Sequence, residues 1–428
     1  MRSAARLVLI LLSVAVLASC GGGGGGGSSH TTSAPSGSTP PATTKNFAAI
    51  TVGPGVTGEY GNILTTSVTV CIPGTQSCST VPDVQVDTGS TGLRLVSSAL
   101  DANANISGFS DALATVSIPG GAEAECAQFA DGVVWGSVRS AAVTVGGLTT
   151  TAATPIQVIG DASVGANPPA ACSNIGTPEQ TPALLGANGI IGVGYFQQDC
   201  GPTCAATDQY NFYFACTSAT SCAPALAPLT SQLSNTVAAF ASAYNNGDII
   251  ELPAIPSGGQ AMASGNIVFG VNTETNNKLA GTVPIGVDSS YGTFTVNFNG
   301  SSLPESFIDS GSSVYFFTDS SIPQCTGEFA GYYCPVSPFN GAAVITGAAP
   351  YANSYNFDFT VVNAMSGVAF SSFAFNDLAA VPSAAAQAAV GSGFDIGLPY
   401  FFGHSVFTAF EGASVSGIGA GPFAGIAN

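Results

Sequence analysis

The sequence predicts an all-β fold with a few short helices, and three observations support that prediction. The chain has 428 residues, and short segments alternate between apolar and polar residues and are punctuated by Gly, Pro, Asn and Ser. Only 7% of the residues are charged, against about 25% in typical globular proteins. Hydrophobic residues make up 46%, which is enough to build a buried core and argues against a disordered chain.

The clearest predicted strand covers residues 292–300. Phe294, Val296 and Phe298 fall on one face, polar residues fall on the other, and an Asn-Gly turn follows. Residues 143–147 and 267–270 predict further strands. The best helix candidate is 229–246, where apolar residues recur at spacings of three and four, and an Ala-rich stretch at 381–390 is a second candidate.

The balance of charge excludes several classes of protein. The formal net charge is −18, with 24 acidic and 6 basic residues, and Arg2 and Arg6 lie in a segment that we expect to be removed. The few remaining cations cannot neutralise a nucleic-acid backbone, so no nucleic-acid partner is expected. Exposed helices stabilised by many Glu–Lys pairs are also excluded, because the chain has too few basic residues to form them.

The N-terminus predicts export. A basic start and an apolar run over residues 7–17 form a signal peptide, 1–19, that is too short to span a bilayer. Its end, Leu17-Ala18-Ser19-Cys20, resembles the lipobox of bacterial lipoproteins, which implies that Cys20 becomes an acylated N-terminus held at the cell envelope, on the outer membrane, by its lipid alone. The alternative is an ordinary signal that is cleaved nearby.

Three segments are expected after the signal peptide. Residues 20–45, rich in Gly, Ser, Thr and Pro, form a flexible lipidated tether. The length of the remainder exceeds the usual range for one domain, and the Pro- and Gly-rich stretch 252–259 indicates a boundary. The body therefore divides into an N-terminal lobe, 46–252, and a C-terminal lobe, 253–428.

Ten cysteines follow Cys20, and an even number in an exported chain indicates disulfides. Three close pairs could join hairpins or loops: Cys71/Cys78, Cys216/Cys222 and Cys325/Cys334. Spacing leaves the connectivity open. A cysteine-rich metal site is the alternative, but the chain lacks the histidine partners and regular CxxC repeats of such sites, so no metal is predicted.

Two related motifs carry the candidate chemistry. Each lobe has an apolar strand followed by Asp-(Ser/Thr)-Gly-Ser-(Ser/Thr), beginning at Asp87 in the first lobe and at Asp309 in the second. A single copy in a chain this rich in Gly and Ser could be an ordinary Asp-initiated turn. Two copies, one in each lobe, indicate a pair of carboxylates that act together.

At these motifs the chain resembles the pepsin-like aspartic proteases. Residues 189–196 and 394–401 are similar to the apolar-apolar-Gly strands behind the two aspartates, and 129–136 is similar to the flap hairpin. The resemblance implies a bilobal double β-barrel, a peptide or protein substrate and no cofactor, and we expect a monomer. It implies catalytic roles for Asp87 and Asp309, supporting roles for Thr88, Gly89, Ser90, Ser310, Gly311 and Ser312, and flap positions for Phe129, Gly132 and Trp135. The chain is also similar to exported bacterial lipoproteins classed as a domain of unknown function.

The chemistry of paired carboxylates agrees with this resemblance. Two carboxylates a few ångströms apart share a proton, so that one activates a water and the other donates to the amide carbonyl. Gly89 and Gly311 would allow close approach and special dihedral angles. Thr88 and Ser310 would fix the turns. His404 is the only histidine of the body and has no credible triad partners, so it is expected to be structural.

Several positions depart from the family pattern. Phe129 replaces the flap tyrosine, Arg94 stands where a tryptophan usually follows the first motif, and Asp395 occupies an apolar position of the second apolar-apolar-Gly strand. A third carboxylate could disturb the pair or could lie at a solvated strand end. Trp135 could contact substrate or pack within its hairpin. The alternative function is therefore a catalytically silent peptide-binding or surface-assembly module.

Overall fold

The computed structural model describes residues 45–279, 281–367, 371–384, 387 and 393–427. The predicted signal peptide, the lipidated Cys20 and the tether up to residue 44 lie outside the described residues, as does most of the second half of the Ala-rich stretch 381–390. The all-β prediction is confirmed, since strands arranged in barrel-like sheets dominate the described chain and its helices are short.

The larger sheet has 18 strands and contains the first Asp motif. Its strands, in chain order, are β1 (Phe47–Gly53), β2 (Ile63–Cys71), β3 (Cys78–Asp87), β4 (Thr91–Val96), β5 (Ala114–Thr115), β6 (Ser117–Ile118), β7 (Gly121–Gln128), β8 (Val133–Val145), β9 (Leu148–Thr149), β10 (Thr154–Ile159), β11 (Gly189–Val193), β12 (Tyr213–Ser218), β13 (Ser221–Pro224), β14 (Gly247–Glu251), β15 (Ala263–Phe269), β16 (Ile285–Gly286), and, from the end of the chain, β24 (Ser405–Ala409) and β27 (Phe423–Ala427).

A second sheet of seven strands contains the second Asp motif, and two short strands form a separate pair. The seven strands are β17 (Phe294–Phe298), β18 (Ser301–Ile308), β19 (Tyr315–Phe316), β20 (Phe339–Thr346), β21 (Ser354–Val361), β22 (Ala379–Ala380) and β23 (Asp395–Ile396); the pair is β25 (Ser414–Val415) and β26 (Gly419–Ala420). The helices are α1 (Ser97–Ala102), α2 (Phe109–Ala112), α3 (Ala170–Ser173), α4 (Pro182–Leu185), α5 (Pro202–Ala206) and three 3₁₀ turns, Ala162–Val164, Gly327–Phe329 and Leu398–Phe401.

The strand predicted at 292–300 is confirmed as β17, with Asn299 and Gly300 in the left-handed conformation of the turn that follows. The division of the body at residue 252 stays a prediction. The strands on either side of it, β14 and β15, pair with each other antiparallel in the larger sheet.

The helix predicted at 229–246 is wrong, because this segment is a series of turns. Polar side chains offer its backbone other partners: the Val237 N–H donates to Asn235 Oδ1, and the Leu233 N–H donates to the Tyr213 hydroxyl. Thr236 is buried along with the apolar residues around it. Burial on several sides accounts for the apolar residues of this segment without an amphipathic helix.

The same local topology recurs around the two motifs. β3 runs parallel to β11 and β18 runs parallel to β23, so each Asp motif follows a strand that pairs with an apolar-apolar-Gly strand. Near the second motif, aromatic rings pack against the paired strands: the rings of Phe317 and Phe394 stack with centroids 4.6 Å apart. This packing anchors β23 beside the second motif.

Five disulfides join the ten described cysteines. The three close pairs predicted from spacing are present, together with Cys126–Cys172 and Cys200–Cys204. Such a framework indicates an oxidising, exported environment. Within the described part of the chain, no helix has the length and apolar character needed to cross a membrane.

Candidate active site

The two motif aspartates lie at the ends of matching strands. Asp87 is the last residue of β3 and pairs with Gly192 of β11. Asp309 follows β18 directly, and its N–H donates to the carbonyl of Ile396 in β23 over 3.0 Å. Each carboxyl is therefore positioned by a buried strand pair rather than by a free loop.

Reciprocal hydrogen bonds fasten the two turns to each other. The Thr88 N–H donates to Ser310 Oγ (3.1 Å), and the Ser310 N–H donates to Thr88 Oγ1 (2.9 Å). Each hydroxyl then donates to a carbonyl before the opposite aspartate, Thr88 to Ile308 (3.3 Å) and Ser310 to Val86 (2.8 Å). Each of the two hydroxyls thus donates one hydrogen bond and accepts another in a buried place, which fixes the relative position of the turns.

The two carboxyls have matching hydrogen-bond shells. The Oδ1 atoms of Asp87 and Asp309 accept from the backbone N–H of Gly89 and Gly311, both at 2.7 Å. The Oδ2 atoms accept from the hydroxyls of Ser90 (2.5 Å) and Ser312 (2.9 Å). These contacts fix the orientation of both carboxyl groups.

Glycine is required in both turns because each backbone lies against the opposite carboxyl. A Cβ on Gly311 would lie 2.6 Å from Asp87 Oδ1, and a Cβ on Gly89 would lie 2.8 Å from Asp309 Cγ. The expectation of special dihedral angles at these two glycines is wrong, since neither adopts a positive φ. Close approach alone explains them.

The two carboxyls interact strongly. Burial, followed by the charges of Asp87 and Asp395 and a side-chain hydrogen bond with Asp87, raises the pKa of Asp309 well above its usual range. Two carboxyls within hydrogen-bonding reach cannot readily ionise together. The two carboxyls are therefore expected to share one proton.

A third carboxyl, Asp395, belongs to this cluster. Its Oδ2 lies 2.6 Å from Ser312 Oγ, the same oxygen that donates to Asp309. Burial, opposed by the bond to Ser312 and reinforced by the charge of Asp87, sets the pKa of Asp395 at about 8. Of the two possibilities left open by the sequence, the structure thus places Asp395 beside the pair rather than at a solvated strand end.

Two further residues join the halves and were not singled out from the sequence. Gln85 donates to the carbonyl of Gly311 over 3.0 Å, and Asn62 donates to the carbonyl of Ser313 over 2.8 Å. The available signal for Gln85 was a polar residue between Val84 and Val86, directly before the first motif. Asn62 has no comparable signal, because its partner is 251 residues away.

The hairpin predicted as the flap consists of β7, β8 and a turn over 129–132. The Phe129 N–H donates to the Gly132 carbonyl across this turn (2.9 Å). Asp131 is exposed in the turn, yet incomplete solvation and the charge of Asp87 raise its pKa. The turn therefore lies within electrostatic reach of the first aspartate.

A neighbouring segment holds the flap in place. The Val133 N–H donates to the Thr177 carbonyl (2.9 Å), and the Glu179 N–H donates to the Val133 carbonyl (2.8 Å). The amide of Gln180 both accepts from the Trp135 N–H and donates to the Trp135 carbonyl. The hairpin is thus fastened along its β8 edge.

Trp135 is buried against segments that lie outside the hairpin. Its side chain has no exposed surface, its Nε1–H donates to the Gly165 carbonyl (2.9 Å), and its ring meets Phe214 edge to face. Phe129 is partly buried, with the Arg94 guanidinium 5.9 Å from its ring centroid. Of the two flap aromatics, Phe129 is the one with surface left to face a ligand.

Arg94 replaces the expected tryptophan with a buried ion-pair network. Its guanidinium contacts Glu125 of β7 at 2.5 Å and Asp199 at 2.9 Å, and Tyr213 donates to Asp199. Burial, followed by the charge of Glu125, raises the pKa of Asp199 well above its usual range, although the charge of Arg94 opposes this rise. The network connects β4, just after the first motif, to the flap strand β7.

A cavity of about 140 Å³ adjoins the second turn. Ser313 and Val314, which follow Ser312 directly, form one wall of it. Its remaining lining combines aromatic residues, among them Tyr60, Phe329 and Phe375, with small, polar and acidic ones. The cavity is large enough for one side chain of a bound ligand, and it begins at the residues that follow Ser312.

Comparison with known proteins gives a family and a distant structural likeness. The chain belongs to the family described as "Protein of unknown function (DUF3443)", which matches residues 42–425. No curated protein matches the chain. Among solved structures, the aspartic proteinase from Irpex lacteus is similar, with a TM-score of 0.49 and 13% identity over 89% of this chain and 96% of that one. Likeness at this level assigns no activity.

We predict that Ser310→Ala destabilises the protein by about 1–3 kcal/mol, because it removes an acceptor and a donor in a buried place. Ser310→Thr keeps the hydroxyl and should lose less. Ser301→Ala, at an exposed position of β18, is the control. The free energy of unfolding in denaturant measures all three, and a Ser310→Ala variant as stable as the parent would contradict the interpretation.

We also predict that the protein is more stable in acid than near pH 8. Burial, against a hydrogen bond from Ser231, raises the pKa of Glu123 to about 8, and burial, followed by the charge of Asp131, raises that of Glu179 to about 8. Asp248 is buried with both carboxyl oxygens lacking a protein partner, and burial raises its pKa well above the usual range. The folded state therefore binds more protons than the unfolded chain between about pH 4.5 and about pH 8.

The free energy of unfolding should consequently fall as pH rises through this window, since the stabilisation is complete below the unfolded pKa and is lost as pH passes the folded one. Denaturation midpoints at several pH values test this. Glu123→Gln should flatten the slope, while Glu274→Gln, at an exposed position, should leave it unchanged. Stability that increases from about pH 5 to about pH 8 would refute the prediction.

Proposed function

We propose that this protein is an aspartic endopeptidase that hydrolyses peptide bonds with a water activated by Asp87 and Asp309. The observation that carries the proposal is the pair itself: two carboxyls within hydrogen-bonding reach, in matching shells of glycine N–H and serine hydroxyl donors. An ordinary structural carboxylate has no need of such a partner, because bringing two carboxyls together costs free energy unless they share a proton.

In the proposed reaction, Asp87 takes a proton from a water held between the two carboxyls. The resulting hydroxide attacks the amide carbon, while Asp309, to which the proposal assigns the shared proton, donates it to the carbonyl oxygen. A neutral tetrahedral diol results. Asp87 then gives its proton to the amide nitrogen, Asp309 recovers a proton from a hydroxyl of the diol, and the C–N bond breaks to release an amine and a carboxylic acid.

Two features around the pair support a peptide substrate. The flap turn lies within electrostatic reach of Asp87, with Phe129 at its base. The cavity beside Ser313, which is lined in part by aromatic residues, offers space for one side chain. Together these features would help to hold an extended chain across the carboxyl pair.

We predict that the purified full-length protein cleaves internally quenched peptides faster in acid than near neutral pH, and that Asp87→Asn and Asp309→Asn each reduce kcat by about a thousandfold. Both variants keep the size of the side chain and remove its acid–base function. Asp208→Asn, at an exposed position in a loop, is the matched control. Cleavage that survives either dyad substitution would disprove the proposal.

A catalytically silent peptide-binding module is the second candidate, and the observations favouring it are the third carboxyl at Asp395 and the Phe129 ring without a hydroxyl. This candidate predicts that peptides bind near Phe129 and the cavity but are not hydrolysed between acid and neutral pH. Peptide-binding titrations run beside the hydrolysis assay separate the two functions.

We propose further that the exported protein is held at the envelope by a lipid on Cys20. The sequence around Cys20 and the Gly- and Ser-rich stretch that follows support this anchor. We predict that Cys20→Ser moves the protein from the membrane fraction to the soluble fraction, whereas Ser19→Ala does not. Equal membrane recovery of both variants would argue against lipidation.

A further inference from the structure

The carboxyl cluster is symmetric except at one position. In the first half, Ile190 of β11 pairs with Gln85, two residues before Asp87. In the second half, Asp395 of β23 pairs with Phe307, two residues before Asp309. Asp395 is thus the counterpart of a buried isoleucine, and the first half has no third carboxyl at the matching place.

The hydrogen-bond geometry around Ser312 requires an additional proton. Ser312 Oγ lies 2.9 Å from Asp309 Oδ2 and 2.6 Å from Asp395 Oδ2, so three oxygens form a row with two short contacts. Each contact needs a proton, and the hydroxyl supplies only one. A carboxyl at one end of the row must hold the second.

Asp395 is the better holder of that proton. Its Oδ1 is buried and has no hydrogen-bond partner, whereas Oδ1 of Asp309 accepts from the Gly311 N–H. A buried carboxylate oxygen without a donor is costly, and protonation removes most of that cost.

The surroundings of Asp395 do not compensate a negative charge. The cluster itself contributes Asp309 and Asp87, and the two strands paired with β23 carry Glu305 on β18 and Tyr315 on β19. The described basic residues have other partners: Arg94 contacts Glu125 and Asp199, Arg139 contacts Asp161, Lys278 donates to the carbonyl of Asn272, and Lys45 lies over the ring of Phe47.

We infer that Asp395 is a positioning residue that stays a neutral acid and donates through Ser312 to the outer oxygen of Asp309. This inference rests on the proposed function, in which Asp309 gives its proton to the substrate carbonyl. The donor chain stabilises the carboxylate that Asp309 then becomes, and it thereby makes Asp309 a stronger acid in the reaction.

Ionisation of Asp395 would reverse this effect. The Ser312 hydroxyl would turn to donate to the Asp395 carboxylate, and Asp309 would lose a donor and gain a nearby negative charge. Asp309 would become a weaker acid, so kcat would fall as pH rises through the titration of Asp395. The third carboxyl therefore restricts activity to acid and neutral conditions.

Two variants at residue 395 test the inference by kinetics. Asp395→Asn keeps a donor to Ser312 but cannot ionise, and Asp395→Ile copies the matching residue of the first half. We expect kcat in acid to fall less than threefold in Asp395→Asn and about tenfold in Asp395→Ile, with KM changing less than twofold in both. The alkaline limb of kcat should move to higher pH in Asp395→Asn.

A measurement that needs no activity accompanies the kinetics. With isotope-labelled aspartate carboxyl carbons, the NMR signal lost in Asp395→Asn should titrate above about pH 6 in the parent, far from the ordinary range of aspartate. Asp208→Asn, exposed and remote, is the control for both measurements.

The outcomes separate the two proposals. If the parent shows no hydrolysis that depends on Asp309, the proposed function fails, and the NMR titration still decides the state of Asp395. A signal that titrates in the ordinary aspartate range overturns the inference. So does an alkaline limb of kcat that is unchanged in Asp395→Asn, because a merely structural residue would not shift it.

Discussion

The reciprocal hydrogen bonds between Thr88 and Ser310 are the constraint on which the candidate site depends. Two carboxyls in contact repel each other when both are ionised, so something else must hold their strands together. Here the backbone N–H and the side-chain hydroxyl of each turn donate hydrogen bonds to the opposite turn. The glycines of the two motifs, which lack a Cβ, allow each turn to lie against the opposite carboxyl. The repulsion is then relieved by a shared proton rather than by separation.

Scarcity of positive charge makes protonation the main way to balance buried carboxyls in this protein. The two described arginines both form buried ion pairs with carboxylates other than Asp87, Asp309 and Asp395. The acids that remain without a cation, including Glu123, Asp248 and Asp395, have raised pKa values because burial disfavours their charge. Low pH stabilises these neutral forms, so the composition and the proposed acid chemistry are consistent.

The fold class and the aspartate pair could be predicted from the sequence because both are recorded locally. Alternating residues reveal strands such as Phe294–Phe298, and a repeated short motif marks Asp87 and Asp309. The helix expected at 229–246 could not be judged in this way, since residues far along the chain, such as Tyr213, bind its backbone. The Cys126–Cys172 bridge was likewise invisible, because its loop spans 46 residues.

The sequence by itself determined which residues carry the candidate chemistry: two Asp-(Ser/Thr)-Gly-Ser motifs in a chain with little other reactive chemistry. Only the tertiary structure decided which side chains lie beside them. Whether Asp395 joins the pair depends on the register of β23 against β18, and whether Trp135 faces a ligand or the interior depends on how the flap packs. Both are set by contacts between distant segments, and the strength of an electrostatic interaction follows from distance and burial, which spacing along the chain does not record.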